Sequence, residues 1–352
     1  MLAVLGFPAR GTAPYAADAA PEPRWGDGLR VRFAQGWFGT VKVVVTGAAG
    51  FIGSHLSEAL VARGDEVVGV DCFTDYYARA DKEANLAQLR TAPGFRFVEA
   101  DLRTDDLGPI VADADAVVNE AATPGLVLSW DDFERSQSCN LSAVKRLVDA
   151  CIDAEVGHFV QASTSSVYGA EATGDETAPT LPVSPYGVTK LAAEHLLRAH
   201  SETYGLPLTI LRYFSIFGPR QRPDMAYRIF CERMLAGEPI VVFGDGGQSR
   251  SNTYVSDCVA GTLAALGGPA DGSIFNIGGG EELKLLDAVA IIAGELGVEP
   301  QVEFREVRRG DQRRTVADIT AARSVLGWQP LVGPEEGLRA EVAWVRDHLA
   351  AG

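Results

Sequence analysis

One stretch constrains the fold more than any other: Val41-Lys42-Val43-Val44-Val45-Thr46-Gly47-Ala48-Ala49-Gly50-Phe51-Ile52-Gly53. The β-branched run Val41–Val45 reads as a buried strand. Gly47, Gly50 and Gly53 then separate it from helical apolar spacing over His55–Arg63. Strand, Gly-x-x-Gly-x-x-Gly turn and helix in that order let the backbone turn tightly, and they aim helix N–H groups at a pyrophosphate. The next apolar run, Glu66–Val70, is closed by Asp71, about 20 residues on, where a carboxylate accepts both ribose hydroxyls of NAD and repels the 2′-phosphate of NADP. The spacing therefore predicts NAD held by Gly47, Gly50, Phe51, Ile52, Gly53 and Asp71. Asp101 and Leu102 follow a third run, Phe95–Glu99, and suit an adenine pocket, while Asp101 alone would equally serve as a helix cap.

Further short apolar runs occur at Ala116–Asn119, His158–Ala162 and Pro207–Arg212, separated by amphipathic stretches. Runs apolar on both faces and separated by helices predict an α/β fold, a doubly wound parallel sheet of the Rossmann type. Beyond residue 215 Gly, Pro and Arg become frequent and short strands mix with helices, as in a smaller mixed α/β lobe that binds substrate. The expected division is a dinucleotide domain over 41–215, with a segment near 253–278 returning to it, and a lobe formed by 216–252 and 279–352. Residues 1–40 carry Pro8, Pro14, Pro21 and Pro23 without periodicity, and read as a disordered or non-native extension outside the fold.

Charge excludes several functions. Lys plus Arg number 31 against 47 for Asp plus Glu, a formal net charge of −16. Neither a nucleic-acid face nor a polybasic membrane anchor fits that balance, and no apolar run is long enough for a membrane span. A few local arginines can still hold an anion. Cys72, Cys139, Cys151, Cys231 and Cys258 form no C-x-x-C pair, and the histidines do not cluster. Free thiols in a reducing cytoplasm and no metal are expected.

Tyr186-Gly187-Val188-Thr189-Lys190 puts Tyr and Lys one helical turn apart on one face. Bringing a phenol from about 10 to near neutrality takes ~4 kcal/mol of differential stabilisation, for which a Lys ammonium and a nicotinamide cation are natural sources. Upstream, Ala162-Ser163-Thr164-Ser165-Ser166-Val167-Tyr168-Gly169 sets hydroxyls at a strand's carboxyl end, where open parallel sheets bind ligands. In this order, Thr164, Tyr186 and Lys190 are the candidate catalytic residues.

From Val41 onwards these motifs resemble the extended short-chain dehydrogenase/reductase family, and within it the nucleotide-sugar epimerases and dehydratases. Asn119-Glu120-Ala121-Ala122, Leu211-Arg212-Tyr213-Phe214-Ser215, Gly244-Asp245-Gly246 leading to Arg250, Arg308-Arg309-Gly310-Asp311 and Leu326-Gly327-Trp328 belong to the same resemblance. It implies that Tyr186 takes the proton of the sugar 4-hydroxyl as hydride moves to NAD, that Lys190 holds the nicotinamide ribose, that Thr164 bonds the developing carbonyl, and that Ala121 lies beside the cofactor. It also implies a homodimer paired through helices carrying Val144, Leu147, Val148, Cys151, Leu191, Ala192 and Leu196, although sheet packing would explain the same residues.

Relatives that dehydrate or decarboxylate carry carboxylates just before the Val-Tyr-Gly, where this chain has Ser165 and Ser166. Epimerisation at carbon 4 needs no added acid, so the expected enzyme is an NAD-dependent UDP-sugar 4-epimerase. Arg222-Pro223-Asp224-Met225-Ala226 and Ser215 resemble the UDP-glucuronate 4-epimerases, in which the Arg meets the sugar carboxylate. An uronate leaving water needs such a partner, and a carboxylate held by Arg222, Ser165 and Ser215 resists loss from the 4-keto stage. A loop arginine in solvent, or one on the diphosphate, is the plainer account of Arg222. Arg250 and Arg308 resemble diphosphate ligands, and Asp311 would orient Arg308, touch the UDP ribose or act as a cap. The alternatives are a UDP-glucose or UDP-N-acetylglucosamine 4-epimerase, a UDP-glucuronate decarboxylase, a 4,6-dehydratase, and an NAD-binding scaffold without catalysis. Glu120, Thr123, Leu126-Val127 and Ser251-Asn252 depart from the usual pattern.

Overall fold

A computed structural model describes residues 40–308, 310 and 312–351. The expectation for the first forty residues falls, Thr40 apart, outside the described residues, as does Asp311. Seven strands form one parallel sheet: β1 (Lys42–Thr46), β2 (Glu66–Asp71), β3 (Phe95–Glu99), β4 (Ala116–Asn119), β5 (His158–Thr164), β6 (Leu208–Tyr213) and β7 (Asp271–Ile277), in the order β7-β6-β5-β4-β1-β2-β3. The first β-branched run shows why both faces are apolar. Val43 and Val45 enter one core and Val44 the other, because successive side chains on a strand point to opposite faces.

Helices cover the sheet on both faces, the longest of them α1 (Phe51–Arg63), α2 (Ala143–Asp153), α3 (Pro185–Tyr204) and α4 (Val255–Leu266), with the shorter α5 (Thr320–Leu326). Leu56 and Leu60 of α1, Val255 and Cys258 of α4 and Ala322 of α5 share one core; Leu147 and Val148 of α2 with Ala193 and Leu197 of α3 share the other. Val144, Leu147, Val148 and Cys151 are thus committed to the sheet core, so their spacing is accounted for without a dimer seam. Leu191, Ala192 and Leu196 are only partly buried.

The smaller lobe has its own core, built by helices Ala226–Leu235, Leu285–Leu296 and Pro334–Ala351 around Phe230, Met234, Ile292 and Leu338. The parallel pair Ile240–Phe243 and Val302–Arg305 flanks it. The division is less simple than segments of sequence suggest. Glu171–Gly174, from the larger unit, pairs with Arg314–Ala317 in a four-stranded strip with Ser249–Arg250 and Leu283–Lys284. Conversely Ile319, Ala322 and Trp328 pack into the sheet core, and Trp328 Nε1 donates to the Asp257 carbonyl at 3.0 Å.

Candidate active site

The carboxyl ends of β1, β2, β4 and β5 open on a cleft lined by the glycine turn, Asp71, Asp101, Leu102, Glu120, Ala121, Tyr186 and Lys190. The turn is as tight as the spacing suggests. Gly47 has φ +68°, and a Cβ there would lie 3.0 Å from the Ala121 nitrogen; a Cβ on Gly53 would lie 2.2 Å from the Gly47 carbonyl. α1 has no acidic residue in its first turn and no side-chain cap at Gly50, which suits a pyrophosphate at its N-terminal N–H groups. Asp71 is fixed at the end of β2: its Oδ1 accepts from Phe73 N at 2.8 Å and its Oδ2 from Ala49 N at 3.3 Å. Burial pushes its acid upward, and Lys82 and these N–H groups oppose that. Asp101 is clasped by Arg103, with Nη2 to Oδ2 at 2.7 Å, which holds the carboxyl below its ordinary range. The glycine turn, Asp71 and Asp101 could together hold a dinucleotide.

A chain of buried hydrogen bonds runs along the strand ends. Ala121 N donates to Thr46 Oγ1 at 3.2 Å, Thr46 Oγ1 to Asn119 Oδ1 at 2.6 Å and Asn119 Nδ2 to Gln161 Oε1 at 2.9 Å. Gln161 Nε2 and Lys190 Nζ both donate to the Ala162 carbonyl, at 2.7 and 2.6 Å. The wall of the first cleft and Lys190 are therefore parts of one polar network.

Ser184 caps α3 by accepting from Gly187 N at 3.1 Å, and Pro185 occupies the first turn. That start sets Tyr186 and Lys190 on the turn facing β5. Burial lowers the Lys190 ammonium to about 8 against the charges of Glu120 and Glu194. Burial pushes the Tyr186 phenol up, and the groups that work against it are the Arg222 charge and a hydrogen bond with Thr164. The net direction is upward, with Arg222 and Thr164 opposing burial only in part.

A second cavity adjoins the first and shares Tyr186, Ser163, Tyr213, Tyr76 and Arg222 with it. It is lined by Thr164, Ser166, Ser215, Arg250 and Arg308. Ser165 is not among its walls: its hydroxyl turns to Gln312 Oε1 at 3.5 Å. The turn after β5 sends successive side chains in different directions, so of the two serines Ser166 reaches the cavity and Ser165 does not. Ser215 sits at φ +45°, a left-handed conformation that costs a non-glycine residue about 1–3 kcal/mol. Arg222 is held by Asp224, with Nε to Oδ1 at 3.0 Å and Nη2 to Oδ2 at 3.2 Å, while Tyr76 donates to the same carboxylate at 2.9 Å. Arg250 donates from Nη1 to the Ser249 carbonyl at 2.9 Å. Arg308 stacks over Phe243, its guanidinium carbon 3.6 Å from the ring centroid. Sequence reasoning missed Tyr227 and Asn252 as a pair, although Asn252 Nδ2 donates to Tyr227 Oη at 2.7 Å in the wall. Their spacing in sequence carries no signal, since only the fold joins them.

The model of the NAD dependent epimerase/dehydratase family matches residues 43–278, and the chain belongs to that family. A crystal structure of UDP-glucuronic acid 4-epimerase from Bacillus cereus, in complex with UDP-glucuronic acid and NAD, is similar at 39% identity and TM-score 0.85, covering 87% of this chain and 99% of that one. A Bacillus subtilis protein described as an uncharacterized UDP-glucose epimerase, YtcB, is 40% identical over 310 residues, 87% of this chain and 98% of its own length. The UDP-glucuronate 4-epimerase of Thermodesulfobacterium geofontis is 32% identical over 312 residues, 87% of this chain and 96% of its own length.

Proposed function

We propose that the chain is an NAD-dependent UDP-sugar 4-epimerase whose substrate pair is UDP-glucuronate and UDP-galacturonate. NAD bound in the first cleft supplies a reversible hydride acceptor. Tyr186, in a wall common to both cavities, takes the proton of the sugar 4-hydroxyl and later gives it back. In this reading Thr164 and Ser166 bond the developing carbonyl, Lys190 holds the nicotinamide ribose, and Arg250 and Arg308 hold the diphosphate. The observation that carries the uronate reading is Arg222, an arginine that borders both cavities and acts on the Tyr186 phenol. A guanidinium there meets a carboxylate on carbon 5 next to the reacting carbon 4. Neither a Glu nor an Asp stands at Ser165 or Ser166, so a base for elimination of water and an acid for decarboxylation are missing from that turn.

The second reading, a neutral UDP-hexose, is favoured by one observation: Arg222 is already paired with Asp224. NMR of the protein with NAD and, separately, UDP-glucuronate, UDP-glucose and UDP-N-acetylglucosamine decides. A galacturonate anomeric signal without UDP-pentose is expected. Turnover of only a neutral sugar would sink the uronate assignment, and UDP-pentose would sink the argument from the serines. A homodimer in the cytoplasm goes with this reading: the five cysteines are free thiols, and exposed Trp130 and Phe133 lie in short helices that touch α3, which also exposes Val188. Light scattering at twice the chain mass checks the dimer.

A further inference from the structure

Glu120 has no part in the chemistry above. It follows β4 at the mouth of the cofactor cleft and lines it with Tyr186, Lys190 and Tyr213. Its Oε1 accepts from the Tyr213 hydroxyl at 2.6 Å, and that hydroxyl also lies 2.7 Å from Thr262 Oγ1, so the carboxyl group is braced from β6 and α4. Burial pushes its acid up to about 7, against the Tyr213 bond and the Lys190 charge. Its charge reaches Tyr186 and Lys190 in turn. A carboxylate so withdrawn from water needs cations around it. Lys190 is one. The other is the nicotinamide ring, positive only when oxidised, which hydride transfer at the Tyr186 hydroxyl requires to lie beside this group.

We propose that Glu120 is a positioning residue that serves as counter-charge to the oxidised cofactor: its carboxylate, braced by Tyr213 beside Tyr186 and Lys190, favours NAD⁺ over NADH in the cleft. Transfer of a hydride from sugar carbon 4, with the hydroxyl proton passing to Tyr186, cancels the ring's positive charge and leaves Glu120 one cation short. Return of the hydride and proton restores it. The carboxylate thus drives the 4-keto stage back to sugar instead of letting it accumulate. The inference rests on the NAD-dependent epimerase reading, and its first test needs no sugar.

Dissociation constants for NAD⁺ and NADH are measured on the wild-type protein and on Glu120→Gln, using NADH fluorescence and competition by NAD⁺. Gln keeps an acceptor for Tyr213 and removes only the charge. The expected result is a rise of at least about tenfold in the ratio of Kd for NAD⁺ to Kd for NADH. An unchanged ratio overturns the proposal. Tyr213→Phe removes the bond that holds the acid down, so its ratio is expected to shift toward that of Glu120→Gln near neutral pH and to return toward the wild-type value well above pH 7; a shift that is the same at every pH would assign the effect to shape and overturn the proposal as well. If Glu120→Gln does not fold, the pair Glu120→Asp and Glu120→Asn, differing in charge alone, gives the same comparison. With UDP-glucuronate, Glu120→Gln is expected to accumulate absorbance at about 340 nm that the wild type does not. A shifted ratio in a protein that turns over no UDP-sugar would support Glu120 and sink the epimerase reading, so the two fail separately.

Discussion

Tyr186 has to act as a base in a place that resists its ionisation. Burial alone favours the neutral phenol, and the chain offsets this with Arg222 and Thr164. Tyr186→Phe is therefore expected to lower kcat by about 10²–10⁴-fold, the usual worth of a positioned acid–base group, while NAD binding measured by fluorescence is retained. Arg222→Ala should abolish uronate turnover, because the substrate carboxylate then leaves water without that partner. Turnover of a neutral sugar should survive it with a shifted pH profile. Loss of the cation raises the phenol further, so the limb reporting Tyr186 moves to higher pH. A limb that stays in place would separate Arg222 from the base.

At the scale of elements, the glycine turn is held by clearance. A methyl group on Gly53 meets the Gly47 carbonyl at 2.2 Å, backbone against backbone. Gly53→Ala is expected to cost about 1–3 kcal/mol, seen as a lower melting temperature and NAD affinity weakened at least several-fold. This turn and the Tyr-x-x-x-Lys helix were legible in sequence because both are local: strand, turn and helix adjoin, and one turn of helix sets the Tyr to Lys spacing. Five strands were legible because the buried sheet makes them apolar on both faces, and the edge strand β3, none of whose residues is fully buried, from its Phe95, Phe97 and Val98. β7 was less so, since its first residue, Asp271, is exposed and the next three are only partly buried. Ser165 could not be told from Ser166 without the path of the turn after β5. The Asp224 clamp on Arg222 depends on a rotamer, which no spacing encodes.

Over the whole molecule, a titrating group of the sheet core that lies outside the site is His158. His158, at the start of β5, has its Nδ1 3.1 Å from the Leu266 carbonyl. Burial lowers it to about 4. The unfolded chain binds that proton near 6.5, so stability from the neutral ring is complete above that pH and is lost as pH falls towards 4, by roughly 3 kcal/mol in all. Urea unfolding between pH 7 and 4.5, with imidazole NMR showing His158 still neutral at pH 5, checks this. The crossing of segments between sheet and lobe has a consequence during synthesis. When β6 has left the ribosome, α1 is in place, but α4, β7 and the Ile319–Trp328 segment that complete the same face are still tens of residues away. A nascent chain at that stage presents bare valines and leucines with no partner in reach, so the fold closes only after that last segment has emerged, and the half-made sheet is a natural client for a chaperone that shields apolar surface.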